Sequence, residues 1–280
     1  MLPDLYQERQ YTVRGVTIAC KIWQPDAPYK LIALHGWLDN AASFDALAPL
    51  LQDCCVLVPD LPGQGLSDNR PAAATYHLWD DVQDVILLTD HLQWQTFSMI
   101  GHSRGAMLSV MLAAAFPERV HSLKLLDALM PLPVGAQDAP WQLRKHVEDS
   151  IRAARYKFFA ERSDAVAFRA RAAGIEYALA EQLAQRQLRE TEQGWSWHSD
   201  ERLKAASAFK MTAEHNDAFL SALSCPVDVF LATRGIGAYQ GIASVRNRYQ
   251  QFNWYDIDGH HHCHMTTEVA AEIASLCTKW

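Results

Sequence analysis

Gly101-His102-Ser103-Arg104-Gly105 follows the apolar run Phe97-Ser98-Met99-Ile100 and precedes a strongly apolar stretch at residues 107–116. The pattern G-x-S-x-G between a predicted strand and a predicted helix is typical of a nucleophile elbow, a turn so sharp that its flanking residues must be glycine. The turn lifts the Ser103 hydroxyl above the sheet edge, where the start of the helix favours negative charge. Ser103 is therefore the candidate nucleophile. The alternative is an ordinary strand-to-helix turn with a helix-capping serine.

Short apolar runs alternate with amphipathic stretches along most of the chain. The predicted strands occupy residues 11–13, 16–23, 31–34, 55–58, 97–100, 123–126, 227–231 and 253–257, and the predicted helices residues 43–51, 82–92, 107–116, 241–251 and 266–279. Strands that are apolar throughout and separated by helices indicate a parallel sheet covered on both faces. The first two strands flank Arg14-Gly15, which predicts an antiparallel hairpin at the sheet edge. The fold class is α/β.

Residues 133–224 have a different composition from the rest of the chain. Ala, Arg, Glu and Gln dominate there, β-branched residues are few, and apolar residues recur at helical spacing. This pattern predicts an all-helical insertion. We therefore divide the chain into a first core segment at residues 1–132, a helical cap at residues 133–224 and a second core segment at residues 225–280.

The loop His35-Gly36-Trp37 follows an early strand and is a candidate for stabilising negative charge. Acyl transfer needs N–H donors aimed at the oxyanion, and one such donor contributes about 3 kcal/mol. The elbow supplies the backbone N–H of Arg104, and the loop near the first crossover is placed to supply that of Trp37. The alternative is that His35-Gly36 is merely a strand-ending turn.

A histidine-rich segment, Asp258-Gly259-His260-His261-His262-Cys263-His264, lies between the last strand and the last helix. One imidazole there is expected to reach Ser103 as a general base, because histidine has a pKa near neutrality. A metal site is the competing interpretation, but adjacent residues on a short loop cannot all point at one ion. No distant carboxylate or histidine set suggests itself in the sequence. We therefore expect no metal and no cofactor.

Taken together, the motifs resemble the α/β-hydrolase superfamily, and most closely its serine hydrolase-like proteins. The motifs are His35 to Asn40, Asp60 to Ser67, the elbow and the histidine-rich loop. The resemblance implies a mostly parallel eight-stranded sheet with an inserted helical cap. It implies Ser103 as the nucleophile and Trp37 and Arg104 as the oxyanion-hole donors. The H-x-x-H spacing of such proteins selects His261, followed by His264, as the base, with His260 as the alternative.

The acidic member of the triad departs from the commonest pattern of this superfamily. Many members carry an aspartate just after the strand that is 227–231 here, but no Asp or Glu lies between Asp228 and Asp256. Other members place the acid after the strand that follows the nucleophile helix, and Asp127 occupies that position. We therefore predict that Asp127 orients His261. The alternative is that Asp127 only caps the entry to the insertion.

Arg104 is a second departure, because many relatives have Met or Gln after the nucleophile. Catalysis needs only its backbone N–H. The guanidinium is expected to attract an acidic substrate or to bind a carboxylate of the cap.

The composition restricts the classes of partner. Over 280 residues, 49% are hydrophobic and 20% charged, which is ordinary for a soluble globular protein. The net charge of −7 argues against nucleic acid or an anionic membrane as partner. No leader or membrane-spanning segment is evident, and six cysteines without scaffold spacing indicate reduced thiols in a cytoplasmic protein.

The expected function is hydrolysis of a small or medium ester, thioester or lactone through an acyl-enzyme on Ser103, as in a carboxylesterase. The expected partner is a small-molecule substrate. The alternative is a binding or sensing module on the same fold, with little or no catalytic activity.

Overall fold

The computed structural model describes residues 6–152, 156–235, 241–277 and 280. Eight strands of this part form one sheet in the order β1-β2-β4-β3-β5-β6-β9-β10. The pairings β1–β2 and β2–β4 are antiparallel and the others are parallel. The strands are β1 (Tyr6–Val13), β2 (Val16–Trp23), β3 (Tyr29–Leu34), β4 (Cys54–Pro59), β5 (Phe97–His102), β6 (Val120–Leu126), β9 (Val227–Arg234) and β10 (Asn253–His260), and β7 (Leu188–Thr191) and β8 (Gly194–Trp197) form a separate hairpin.

Helices cover both faces of this sheet. The helices of the described residues are α1 (Leu78–His91), α2 (Arg104–Ala115), α3 (Ala139–Ile151), α4 (Arg162–Ala173), α5 (Tyr177–Gln187), α6 (Ala213–Ser221), α7 (Ile242–Arg248) and α8 (Thr267–Leu276), of which α3, α4 and α5 do not belong to the apolar clusters on the sheet. One apolar cluster joins the sheet to α1, α2, α6 and α7, and a second joins its other face to α8. The predicted fold class, a mostly parallel eight-stranded sheet flanked by helices, is confirmed.

Several element predictions need comment. The hairpin at Arg14-Gly15 is confirmed, and the predicted last helix is found as α8. Residues 278–279 of that prediction lie outside the described residues. None of the helices in the described part of the chain has both the length and the apolar character needed to cross a membrane.

The predicted helix at residues 43–51 is wrong. Two short 3₁₀ turns, Ala41–Phe44 and Ala48–Leu50, occupy this stretch. An α-helix through it would need an N–H at Pro49, which proline lacks, so the helical hydrogen-bond series is broken there. The N-cap of the first turn is Asn40, whose side chain accepts a hydrogen bond from the Ala42 N–H, and not the expected Ser43.

The insertion is not all-helical, because β7 and β8 lie within it. The chain turns between them at residues 192–193, and Gly194, which begins β8, has a φ of 110°. Phe159 pairs with Trp195 on the other side of β8 through two backbone hydrogen bonds of 2.8 and 2.9 Å. The sequence Trp195-Ser196-Trp197 has the alternation of apolar and polar residues that is typical of a strand. The prediction of an all-helical insertion did not take this alternation into account. The boundaries of the cap, 133 and 224, stay a prediction.

The insertion packs on the loops that follow β3 and β4. The Asn40 amide donates to the Leu183 carbonyl, and Trp37 Nε1 donates to the Leu203 carbonyl, both at 3.0 Å. In a parallel sheet these loops lie at the carboxyl ends of the strands, which is the edge where β5 leads into α2. The insertion is therefore held at the same sheet edge as Ser103.

Two glycines permit the turn between β5 and α2. A Cβ at residue 105 would lie 2.0 Å from the Leu34 carbonyl oxygen, and one at residue 101 would lie 2.4 Å from the Gly105 carbonyl oxygen. Both distances are far below van der Waals contact, and backbone atoms cannot rotate away as a side chain can. The helix start therefore packs directly on the end of β3.

We expect Gly105→Ala to lower the free energy of unfolding by about 1–3 kcal/mol, because the added methyl group overpacks a rigid backbone contact. Urea denaturation measures this change. Gly135→Ala is the matched control: its methyl group meets the Gln137 side chain, which can move. Equal stabilities for the two variants would contradict the assigned role of Gly105.

Candidate active site

Ser103 lies at the turn between β5 and α2. Its φ of 53° and ψ of −116° are unusual for a residue with a side chain. The Ser103 N–H donates a 3.0 Å hydrogen bond to the carbonyl of Leu126, at the end of the neighbouring strand β6. This backbone strain fixes the direction of the hydroxyl and persists because the surrounding sheet and helix determine it.

His261 joins Ser103 to Asp127 by two short hydrogen bonds. His261 Nε2 lies 2.8 Å from Ser103 Oγ, and His261 Nδ1 lies 2.6 Å from Asp127 Oδ2. Because a carboxylate only accepts, Nδ1 carries the proton and Nε2 of the neutral ring is free to accept from the serine. The geometry can therefore move a proton from the serine hydroxyl to the imidazole.

Asp127 follows β6 directly and is buried. Its N–H donates to the Phe230 carbonyl at 2.8 Å, and its Oδ1 accepts from the Ala232 N–H at 3.0 Å. Both partners belong to β9, the strand beside β6. Gly235 leaves room for the carboxylate, since a Cβ there would lie 2.1 Å from Asp127 Oδ2. The acid is thus held by the strand after which many relatives carry it.

The structure distinguishes the four histidines of the loop. His261 faces Ser103, whereas His260 ends β10 with an exposed side chain. His262 and His264 are buried. Of the two histidines predicted as the base, the structure therefore brings only His261 to Ser103.

Trp37 and Arg104 belong to the two segments that meet where Gly105 packs on the end of β3. Arg104 is the first residue of α2, so its backbone N–H has no acceptor within the helix. Trp37 lies three residues beyond β3, on the loop against which Gly105 packs. Neither backbone N–H donates to another described residue. Their predicted role as oxyanion donors stays a prediction.

The side chain of Arg104 does not bind a carboxylate of the cap, which was one of its two expected partners. Its guanidinium pairs with Asp81 of α1 at 2.5 Å. Asp81 is buried and also pairs with Arg70 at 2.9 Å. The expected cap carboxylate is thus replaced by a carboxylate of the core, which binds the start of α2 to α1.

A second buried polar cluster lies beside His261, and the sequence interpretation missed it. Asp39, from the loop after β3, accepts a 3.2 Å hydrogen bond from His262 Nε2 and pairs with Arg169 of α4 at 2.5 Å. Burial alone would raise the pKa of Asp39, but attraction to His262, Arg169 and His102 holds it well below its usual range. A carboxylate does therefore come to the histidine loop from a distant part of the chain, contrary to expectation.

His102, the residue before Ser103, belongs to the same cluster. Its Nε2 donates to the backbone carbonyl of His261 at 2.8 Å. Burial, together with repulsion from His264, His262 and His261, holds the pKa of His102 well below its usual range. Burial also lowers the pKa of His264 to about 3. Neutral rings thus pack around the backbone of His261.

Asp60 has a structural role at this edge. Its carboxylate accepts from the Ala41 N–H at 2.7 Å and from the Leu66 N–H at 2.8 Å, and it pairs with Arg186 of α5 at 2.8 Å. All of the Asp60 side chain is buried. It therefore fixes the two loops next to the site and binds α5 to them.

A cavity of about 360 Å³ adjoins the site on the side of Asp127. It is bounded by the segment after β6 and by α6 and α7, and Ser103 and His261 do not line it. Of the three hydrogen-bonded residues, the cavity therefore reaches only Asp127.

Comparison with known proteins gives consistent results. A family model described as the alpha/beta hydrolase fold matches residues 29–212. The chain is 30% identical over 275 residues to a serine hydrolase-like protein of Danio rerio, which covers 92% of this chain and 83% of that protein. It is 40% identical over 126 residues to a serine hydrolase-like protein of Homo sapiens, covering 45% of this chain and 62% of that one.

Among solved structures, the chain is similar to a hypothetical protein from Pseudomonas aeruginosa PAO1. The two are 35% identical, with a TM-score of 0.92, and the match covers 96% of this chain and 97% of that one. The similarity therefore includes both the sheet and the insertion.

We expect Asp60→Asn to lower the free energy of unfolding by about 3 kcal/mol or more, because Arg186 then loses a buried charged partner and the amide keeps only one of the two oxygens that accept from the Ala41 and Leu66 N–H groups. Chemical denaturation measures it. Asp53→Asn, at an exposed aspartate of the same part of the chain, is the control and should change stability by less than about 0.5 kcal/mol. An Asp60→Asn protein as stable as this control would contradict the structural role.

Proposed function

Because the chain belongs to the α/β hydrolase fold family, we propose that it is a serine hydrolase that cleaves small or medium esters, thioesters or lactones through an acyl-enzyme on Ser103. The observation that carries the proposal is the hydrogen-bonded series Asp127–His261–Ser103, with distances of 2.6 and 2.8 Å. It joins a nucleophile, a base and an orienting carboxylate on the family's fold.

In the proposed reaction, Ser103 Oγ attacks the acyl carbonyl while His261 Nε2 takes its proton. Asp127 keeps the imidazole in the required tautomer and stabilises the imidazolium. The carbonyl oxygen becomes an oxyanion that the Trp37 and Arg104 N–H groups receive. His261 then protonates the leaving group. Water, deprotonated by His261, attacks the acyl-enzyme and releases Ser103.

The insertion is proposed to act as a cap over this site. Trp37 is about half exposed, although its indole is tied to Leu203 of the insertion. An acyl group that approaches Ser103 beside this pair would meet the exposed, apolar face of the Trp37 indole. The choice of substrate would then depend on the insertion and on the loop after β3.

The alternative of a non-catalytic binding module was motivated by two departures. No acid follows β9 in the sequence, but Asp127 lies beside β9 and is hydrogen-bonded to its backbone. The unusual Arg104 side chain pairs with Asp81, and its backbone N–H donates to no described residue. Neither feature now favours that alternative.

We expect Ser103→Ala to lower kcat by at least about 10³-fold on esters that the wild type cleaves, because no other group can form the acyl-enzyme. A panel of p-nitrophenyl esters and acyl thioesters provides the assay. Since Ser103 is not a core residue, the urea denaturation midpoint should not move.

Ser109→Ala is the matched control, since Ser109 lies on α2 and bonds only to the Gly105 carbonyl among the described residues. It should keep the turnover of the wild type. Undiminished turnover in Ser103→Ala would contradict the proposal. Saturable ligand binding by a wild type that cleaves no substrate of the panel would support the binding module.

A further inference from the structure

We propose that Asp39, His102 and His262 form a binding site for a divalent transition-metal ion such as Zn²⁺, next to the backbone of His261. Asp39 Oδ2, His102 Nδ1 and His262 Nε2 all lie within 4.8 Å of one another, and all three residues are buried. They come from three separate segments: the loop after β3, the elbow and the histidine loop. Two imidazoles and one carboxylate are a common ligand set for Zn²⁺.

The hydrogen bonds of His102 direct a lone pair into this site. A carbonyl oxygen can only accept, so the bond between His102 Nε2 and the His261 carbonyl places the proton of the neutral ring on Nε2. His102 Nδ1 is then a bare acceptor. It is buried, has no hydrogen-bond partner among the described residues, and lies 3.7 Å from Asp39 Oδ2. Two acceptors facing each other in a buried site are stabilised by a cation between them.

The separations of Asp39 Oδ2 from the two ring nitrogens fit coordination with small movements, and the ring nitrogens themselves, which lie within 4.8 Å of each other, approach as the ion binds. Zn²⁺ bonds of about 2.0–2.1 Å at tetrahedral angles place neighbouring ligand atoms about 3.3 Å apart. Asp39 Oδ2 lies 3.2 Å from His262 Nε2 and 3.7 Å from His102 Nδ1. Gly36 leaves space beside them, since a Cβ there would lie 2.7 Å from Asp39 Oδ2 and 3.0 Å from His102 Nδ1.

The surrounding groups match those that usually orient metal ligands. A ligating histidine commonly donates its other N–H to a carbonyl, as His102 does to His261, and a ligating carboxylate is itself hydrogen-bonded, as Asp39 is to Arg169. On coordination, the proton of His262 moves from Nε2 to Nδ1, which has no hydrogen-bond partner among the described residues.

The charge of Arg169 limits which ions suit the site. Its guanidinium lies 2.5 Å from Asp39 Oδ1 and opposes any cation bound at Oδ2. An ion that depends mainly on carboxylate charge, such as Mg²⁺ or Ca²⁺, is therefore disfavoured. An ion that bonds strongly to imidazole, such as Zn²⁺, retains two good ligands. Bound there, it would hold the three segments together and so stabilise the folded chain.

The test measures metal binding by the full chain, with no reference to turnover. Chelator-treated protein is incubated with Zn²⁺, freed of unbound ion and analysed for zinc, and its thermal midpoint is recorded with Zn²⁺ and with Mg²⁺. We expect about one Zn²⁺ per chain and a midpoint raised by Zn²⁺ alone. His262→Gln should bind at least about 10-fold more weakly. The control His260→Gln, at an exposed histidine of the same loop, should bind like the wild type.

X-ray absorption on the zinc-loaded wild type gives a second readout that needs no variant. A coordination shell with two imidazoles and one carboxylate oxygen is expected. Less than stoichiometric zinc in the wild type, a shell without histidine, or equal losses in His262→Gln and His260→Gln would each overturn the proposal.

Discussion

The contact between the first turn of α2 and the end of β3 is the constraint on which the site depends. Residue 105 lies so close to the Leu34 carbonyl that it cannot carry a side chain. The chain can make this approach only by turning sharply at Ser103, whose strained backbone presents the hydroxyl at the sheet edge. The same contact brings the loop after β3, with Trp37, beside the serine. The positions of the proposed nucleophile and of the proposed oxyanion donors therefore depend on the same contact.

Buried carboxylates join three further elements, β9, α5 and α4, to this edge of the sheet. Asp127 is held by backbone groups of β9, Asp60 by α5, and Asp39 by α4. Each of these carboxylates is buried and has a partner on another segment of the chain, so losing one partner would leave a costly unpaired charge. The insertion is therefore fastened to the sheet edge that carries Ser103 by specific polar pairs.

The sequence predicted those parts of the structure that depend on local chemistry. The elbow was predicted because glycines 101 and 105 flank a serine between a strand and a helix, and the fold class because the strands are apolar throughout. The family resemblance selects His261 among four histidines, and it selects Asp127 because this residue follows the strand after the nucleophile helix, whereas no acid follows the strand at residues 227–231. The structure joins His261 to both Ser103 and Asp127, and their roles stay proposals. Pro49 was overlooked as a helix breaker.

Other features depend on contacts that no local pattern contains. Asp39 meets His262 across 223 positions of sequence, and Arg104 meets Asp81 on a neighbouring helix. Only the arrangement of the strands brings these groups together.

Covalent labelling with a fluorophosphonate, followed by peptide mapping, tests most directly whether Asp127 and His261 activate Ser103. We expect one adduct, on Ser103, formed at least about 10²-fold more slowly in Asp127→Asn, because the imidazole then loses its orienting carboxylate. Asp258→Asn, at the exposed acid nearest to His261 in sequence, should label at the rate of the wild type. No adduct in folded wild-type protein, or a labelling rate that Asp127→Asn leaves unchanged, would contradict this account.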